Sequence, residues 1–184
     1  MSTETVTLPA TGTWVIDPSH SSIEFVARHL MVSRVRGRFT SFSGTVEVAD
    51  PAGESSVEVT IDAESISTND ETRDGHLKSG DFLDVERYPT LSFRAAGPRH
   101  RESETWVLPG ELTIRDVTRP VELTVDYRGL LTDPWGNDKA VFSGSTEFDR
   151  EEFGITWNQA LEAGGMLVGP KVRIELDVQL ASQA

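Results

Sequence analysis

One short stretch of the chain contains three ionisable side chains of the kinds that serve in catalysis and in anion binding. Arg73, Asp74 and His76 lie within one helical turn, where a carboxylate can orient an imidazole and a guanidinium can bind an anion. Residues at i and i+2 do not face each other on a helix, which disfavours a dyad of Asp74 with His76. The spacing therefore favours a structural role, with head-group binding by Arg73 and His76 as the alternative.

Arg150 is a further candidate for a contact to a polar head group. It follows Asp149 directly after a predicted strand. The two side chains either form an ion pair that ties the last long loop to the fold, or contact a ligand head group. The structural interpretation is favoured.

The histidine and cysteine content argues against a metal site. The four histidines show no ligand-type spacing such as a pair at i and i+4. They are His20, His29, His76 and His100. The chain has no cysteine, which excludes disulfides, thiolate nucleophiles and thiolate metal ligands. A Gly-rich phosphate loop and a nucleophile elbow are also missing. We therefore expect no metal and no cofactor.

Length and charge narrow the classes of partner. The 184 residues are enough for one substantial core and short for two, which predicts a single domain. The formal net charge of −13 repels nucleic-acid phosphates and the anionic face of membranes. No stretch approaches the roughly 18 apolar residues of a membrane helix. We expect no nucleic-acid partner and no stable membrane insertion, and a homodimer is left open.

The N-terminus indicates a cytoplasmic protein. Residues 1–14 contain no lysine or arginine, and they lack the apolar run of roughly 7–15 residues that a secretory signal needs. A mature exported form would look the same, so a periplasmic or secreted location is the alternative. We expect residues 1–12 to be flexible and residues 13–184 to form the domain.

The elements that position these groups are mostly strands. Apolar and polar residues alternate along much of the chain, most cleanly from Lys171 to Leu180, and a period of two is typical of a strand with one buried face. The alternation changes phase between Phe39 and Phe42, which predicts a bulge or sharp bend. One short helix is predicted from Asn69 to about Phe82, with Asn69 or Asp70 as its cap.

Other segments are less regular. Residues 106–107, 112–114 and 121–125 mark three more strand segments, and Val121, Leu123 and Val125 share a face whose direction the alternation leaves open. The charged stretch from Arg99 to Glu104 is interpreted as an exposed connection, and residues 149–159 as a short helix or loop.

Many strands with one apolar face form either a closed antiparallel barrel or a sandwich. Long, bent strands favour the barrel, which at about eight strands is just wide enough to enclose one ligand. We expect a mainly β fold, an extended antiparallel barrel of about eight strands with one or two short helices. The residues whose phase predicts the inner wall are Phe25, Phe39, Phe42, Phe93, Leu112, Ile114, Phe142 and Phe148.

A series of short motifs is spaced between Trp14 and Leu180. The most distinctive is Arg73-Asp74-x-His76-Leu77. The others include, in chain order, Trp14-Val15-Ile16-Asp17-Pro18-Ser19-His20-Ser21, Val35-Arg36-Gly37-Arg38-Phe39, Thr118-Arg119-Pro120-Val121, Trp135-Gly136 and Asp149-Arg150-Glu151-Glu152-Phe153-Gly154. Together they resemble the bacterial YceI-like family of polyisoprenoid-binding, lipocalin-like barrel proteins. Arg115-Asp116 departs from the pattern, because many relatives have a glycine there.

The resemblance implies a barrel that encloses a long isoprenoid or other acyl-like chain, with the polar end of the ligand toward the mouth. We expect non-catalytic binding, storage or transport of such a lipid. Two alternatives stay open. One is an enzyme that acts on a lipid-like or small ester substrate through His76 with Asp74 or Asp149. The other is a structural or stress-associated barrel with a filled core and a protein partner.

Overall fold

The computed structural model describes residues 6–183, and this part of the chain contains twelve strands and one α-helix. The strands are β1 (Gly12–Ile16), β2 (Ser22–His29), β3 (Ser33–Phe39), β4 (Phe42–Val48), β5 (Ser56–Asp62), β6 (Ile66–Ser67), β7 (Thr90–Ala96), β8 (Arg99–Glu102), β9 (Thr105–Ile114), β10 (Val117–Thr132), β11 (Asp138–Asp149) and β12 (Val168–Ser182). The helix is α1 (Glu71–Lys78), and short 3₁₀ helices cover Pro18–His20, Ala52–Glu54, Ala63–Ser65 and Arg150–Phe153.

These strands close into a barrel with eight walls. Each of three walls consists of two consecutive strands separated by a short break: β1 with β2, β3 with β4, and β5 with β6. Both β1 and β2 pair with β12. The other five are β7, β9, β10, β11 and β12, and neighbouring walls are all antiparallel. Pairing of β1 with β12 closes the ring, and β8 is an additional exposed strand beside β9. The predicted antiparallel barrel of about eight strands is confirmed.

The predicted bend between Phe39 and Phe42 is confirmed as the break between β3 and β4. The break in the neighbouring wall, between β5 and β6, lies beside it. The two breaks are hydrogen-bonded to each other: Thr40 N donates to Ser65 O at 3.2 Å, and Asp62 N donates to Ser41 O at 3.0 Å. The barrel therefore turns a corner across two adjacent walls at once.

Asp17 fixes the break between β1 and β2. Its side chain accepts hydrogen bonds from Ser19 N at 3.0 Å and Ser19 Oγ at 2.6 Å. Its other oxygen lies 2.9 Å from His20 Nδ1 and 3.2 Å from Lys139 Nζ. The bonds from the side chains of Ser19 and His20, with Lys139, hold the pKa of Asp17 well below its usual range.

Replacing Asp17 with Asn is expected to lower the free energy of unfolding by about 1–2 kcal/mol at neutral pH, because a charged acceptor becomes a neutral amide. Since folding depresses the pKa of Asp17, its stabilisation is present above the unfolded-state pKa of about 3.9 and is lost as the pH falls toward the folded-state pKa. Urea unfolding at neutral pH and at about pH 3 tests this. A difference between wild type and variant that stays constant down to the lower pH would contradict it.

The helix is shorter than predicted. Asp70 is its N-cap, accepting a hydrogen bond from Arg73 N at 2.9 Å. The helix ends at Lys78 because Ser79 adopts an extended backbone and its Oγ donates to His76 O at 2.6 Å. Residues 79–87 follow as turns, so the predicted extension to Phe82 is wrong.

Two other expectations need correction. Residues 106–107 and 112–114 belong to one continuous strand, β9, because Pro109 and Gly110 interrupt the apolar pattern without ending the pairing with β10. Part of the expected connection after Pro98 is the strand β8.

The departure from the family pattern at Arg115-Asp116 is a two-residue turn between β9 and β10, in which Arg115 has a φ of +59°. A glycine adopts that left-handed backbone at lower cost.

Candidate functional site

An apolar cavity of about 250 Å³ runs along the inside of the barrel. All eight walls contribute side chains to it. Its lining on β9 extends from Trp106 to Ile114, which at about 3.3 Å per residue is roughly 26 Å along the strand. The cavity is therefore long and narrow, as required for an extended chain.

The two ends of the barrel differ. At the helix end, the segment after α1 and the loop after β11 insert large side chains into the barrel, where they are buried against the walls. These side chains are Phe82, Leu83, Phe153 and Ile155. The opposite end, called the mouth, lies at the β4–β5, β7–β9 and β10–β11 connections and is lined by Leu8, Pro9, Ala52 and Pro98. The four side chains at the helix end are at most 9% exposed, whereas Leu8 at the mouth is 44% exposed. We therefore take the helix end as the sealed end and the mouth as the accessible one.

Alternation along each strand makes the lining apolar. On β10 the inward positions are Val121, Leu123, Val125 and Tyr127, which settles the orientation of a face that the sequence left open. Successive side chains of a strand point to opposite sides, so the charged residues between these positions face away from the cavity. The same rule places the apolar half of β12 inside.

The three hydroxyl groups that residues 6–183 contribute to the lining are already hydrogen-bonded to the protein. Tyr127 Oη donates to Thr7 O at 2.7 Å, Thr146 Oγ1 donates to Glu122 O at 2.9 Å, and Ser55 Oγ accepts from Ala49 N at 2.9 Å. Burial raises the pKa of Tyr127. Because these hydroxyl groups already have hydrogen-bond partners in the protein, a molecule inside the cavity would make almost entirely apolar contacts with the lining.

Six of the eight predicted wall residues line the cavity: Phe39, Phe93, Leu112, Ile114, Phe142 and Phe148. Phe25 and Phe42 lie elsewhere. The ring of Phe25 packs over Gly37 and against Phe39, in the core at the helix end. Phe42 packs between two core clusters and is half-buried. That the six residues contact a ligand stays a prediction.

Several lining residues were missed by the sequence analysis. Val57, Val59 and Ile61 line the cavity from β5, and their alternation with Glu58 and Thr60 was the available signal. Leu8 and Pro9 carry no periodic signal, because they precede β1 and have no regular secondary structure.

Residues 6–11 lie at the mouth and contact two deeply buried aromatic residues. Tyr127 donates to Thr7 O, as described above, and Trp14 Nε1 donates to Ala10 O at 2.8 Å. Tyr127 and Trp14 are 1% and 2% exposed, so these contacts attach the segment to the barrel core. The sequence predicts a flexible segment at residues 1–12. Its last residue, Gly12, starts β1, and its residues 1–5 lie outside the described residues.

Arg73 and Asp74 both bind Thr68, which links α1 to the end of β6. Arg73 Nε donates to Thr68 Oγ1 at 2.7 Å, and Arg73 Nη2 donates to Thr68 O at 3.0 Å. Asp74 Oδ1 accepts from Thr68 N at 2.8 Å and from Thr68 Oγ1 at 2.6 Å. The pair attaches the helix to the barrel.

His76 lies on the surface of the helix end. Its Nε2 is 2.9 Å from Asp81 Oδ2, and its ring packs edge-on against Trp157 at 4.5 Å and against Phe82 at 5.0 Å between ring centroids. Asp74 binds Thr68 instead, and Asp149 caps the 3₁₀ helix after β11 by accepting from Glu151 N. Neither acid proposed for the enzymatic alternative is the partner of His76.

Arg150 is buried, with 3% of its surface exposed. Its guanidinium donates to Ile155 O and Trp157 O at 2.9 Å, to Gly169 O at 3.0 Å and to Val168 O at 3.2 Å. Burial lowers the pKa of Arg150. The ion pair expected with Asp149 is not among the salt bridges of residues 6–183. Backbone carbonyls hold the loop instead, and they use four of the five N–H donors of the side chain.

Acidic and imidazole side chains are scattered over the surface. In residues 6–183, no group of three or more His, Cys, Asp or Glu side chains is placed to hold a metal ion. Within the same residues, no helix combines the length and the apolarity that crossing a membrane requires.

The sequence matches a known family. A profile of the YceI-like domain matches residues 14–180. A UPF0312 protein of Vibrio cholerae serotype O1 is 36% identical over 146 residues, which cover 77% of this chain and 77% of that protein.

Solved structures share the barrel. BcnA of Burkholderia cenocepacia superposes with a TM-score of 0.76 at 20% identity, over 89% of this chain and 98% of that one. A polyisoprenoid binding domain from Saccharophagus degradans, implicated in plant cell wall breakdown, gives a TM-score of 0.70 at 12% identity, over 94% and 99% of the two chains. Because the profile match spans nearly the whole chain, this protein belongs to the YceI-like domain family.

Proposed function

We propose that this protein binds one long apolar ligand of the polyisoprenoid class inside the barrel, and stores or carries it without chemical change. The observation that supports this most is the lining, which is apolar along its length and whose hydroxyl groups are bonded to the protein. The S. degradans domain of the same fold is polyisoprenoid-binding.

Apolar contact alone is enough for useful affinity. Each methylene removed from water contributes about 0.8 kcal/mol, so ten of them contribute about 8 kcal/mol, from which the cost of association and of ordering the ligand is subtracted. A longer chain buries more methylenes and leaves a larger surplus. A branched prenyl chain fits a wall of valine, leucine, isoleucine and phenylalanine side chains. Specificity then comes from the shape and length of the cavity.

The tail of the ligand points to the helix end and its head group lies at the mouth. The helix end is sealed by buried side chains, and a charged head group placed there would lose its hydration without a partner. Arg73 and Arg150 are engaged in the contacts described above, and His76 lies outside the sealed end. The mouth is the end that gives a head group access to water.

The test is mass spectrometry of the purified protein in native and denatured forms, with organic extraction. We expect one unmodified prenyl lipid per chain to be released on unfolding, and a lipid-free preparation to bind added prenyl alcohol or prenyl phosphate. Failure of both would favour the filled barrel. Turnover of a bound lipid that His76→Ala abolishes while binding persists would favour the enzyme.

A further inference from the structure

An exposed apolar surface lies at the helix end, away from the mouth. The turn between β2 and β3 carries Leu30, Met31 and Val32, and Val32 is 91% exposed. Leu30 N donates to Leu167 O at 2.8 Å, and the side chain of Met31 packs over Gly165. These contacts bring the exposed Met166 close to the turn. We call Leu30, Met31, Val32 and Met166 the apolar tip.

Arginine side chains stand directly behind the apolar tip. Arg28 and Arg34 are opposite each other in the pairing of β2 with β3, whereas Arg38 lies four residues farther along β3, opposite Glu24. All three are exposed. Like charges directly opposite on neighbouring strands destabilise a sheet.

These arginines have no acidic partner among residues 6–183. Arg36, on the same strand, binds Glu175 at 2.8 Å and Glu24 at 3.4 Å. No salt bridge of the described residues involves Arg28, Arg34 or Arg38. The repulsion between Arg28 and Arg34 is therefore not offset by an ion pair within this part of the chain.

We propose that the helix end docks on an anionic lipid bilayer, with the apolar tip entering the interface and Arg28 and Arg34 contacting lipid phosphates. An apolar segment flanked by cations is the arrangement that binds such surfaces, since the apolar side chains leave water while the cations meet anionic head groups. Guanidinium groups also form paired hydrogen bonds with phosphate. The arginines beside the apolar tip are thus complementary in charge to an anionic bilayer.

The net charge of −13 does not prevent this contact. At physiological ionic strength the Debye length is about 8 Å, so charges on the far side of the barrel are largely screened. The two loops that form the tip, residues 29–33 and 161–167, contain one acid, Glu162. The loops contain no lysine or arginine, so the positive charge at the contact comes from Arg28 and Arg34 on either side of the turn, which together with Glu162 give a formal charge of +1.

Docking in this orientation is separate from the lipid cavity. The mouth lies at the opposite end of the barrel, so a docked molecule would present its mouth to water. The inference therefore does not rest on the proposed function, and failure of ligand binding would leave it intact.

Co-sedimentation with vesicles tests the docking. We expect binding to phosphatidylcholine vesicles that contain phosphatidylglycerol, no binding to phosphatidylcholine alone, and release at high salt. The double variant Arg28→Gln, Arg34→Gln is expected to bind about 30-fold more weakly, from roughly 1 kcal/mol per cation near the surface. Val32→Glu is expected to weaken binding as well. Thermal unfolding checks that both variants fold, and the double variant should be no less stable than wild type.

Trp135→Ala is the matched control, because Trp135 is 84% exposed but lies in the β10–β11 connection at the mouth. It should bind as wild type does. Loss of binding in Trp135→Ala but not in the arginine variant would show that the barrel docks mouth first and would overturn the proposal, as would failure of wild type to bind anionic vesicles at low salt. Full competition by glycerol phosphate at constant ionic strength would assign the arginines to soluble phosphates and also overturn it.

Discussion

Val59→Trp is expected to lower the affinity of the barrel for a prenyl lipid by roughly 100-fold, which corresponds to about 3 kcal/mol or about four methylenes kept in water. Val59 lines the cavity from β5, opposite Phe93 on β7. The indole would occupy space that the ligand needs, whereas overpacking of the walls is limited because the side chain points into free volume. Titration of lipid-free protein with a prenyl alcohol measures the change.

Thr60→Trp is the matched control for this substitution. Thr60 is the next residue on the same strand and is exposed on the outer face, so the substitution adds the same indole outside the barrel. It should leave lipid affinity unchanged. Val178→Trp, on β12, fills the cavity from another wall and serves if the first variant unfolds. Wild-type affinity in both cavity variants would show that the ligand binds elsewhere.

Strand alternation predicted the inward side of several strands, although not of residues 121–125, and it did not predict how far along the barrel axis the cavity extends. Phe25 and Phe39 have the same apolar phase, yet only Phe39 lines the cavity. The difference is set by the side chains that seal the helix end, Phe82 and Phe153 among them. They come from loops far away in sequence, so periodicity within one strand cannot reveal them.

For the candidate head-group contacts, the sequence could not distinguish an arginine with a structural role from one that binds a ligand. Arg150 binds four backbone carbonyls, and Arg73 binds a carbonyl and a hydroxyl of Thr68. Carbonyls belong to every residue and leave no mark in the sequence of side chains, so an arginine held by them cannot be distinguished from one that awaits an anion. The Asp70 cap was predictable because it depends on a side chain close in sequence to its partner.

Arg150→Met is expected to lower the free energy of unfolding by about 3 kcal/mol, because the substitution removes the Arg150 donor from the carbonyls of Ile155, Trp157 and Gly169, each worth about 1–3 kcal/mol where water cannot reach it. Val168 O keeps the hydrogen bond from Asn158 Nδ2 at 2.6 Å. For a chain of this size, that loss corresponds to a fall in Tm of roughly 6–12 °C. Arg36→Met removes an exposed arginine with two acidic partners and should cost less than about 1 kcal/mol. Urea and thermal unfolding of the two variants provide the comparison.

Arg150→Lys separates this structural role from head-group binding. An ammonium keeps the charge and three donors but lacks the planar fork that reaches carbonyls on both sides of the loop. If Arg150 holds the loop after β11, the lysine variant should lose stability while retaining prenyl-lipid affinity once folded. If Arg150 instead binds a head group, stability should stay near that of wild type and the affinity for a prenyl phosphate should fall relative to that for the alcohol. The buried carbonyl contacts favour the first result, since a guanidinium that already donates four hydrogen bonds has little left to offer a ligand.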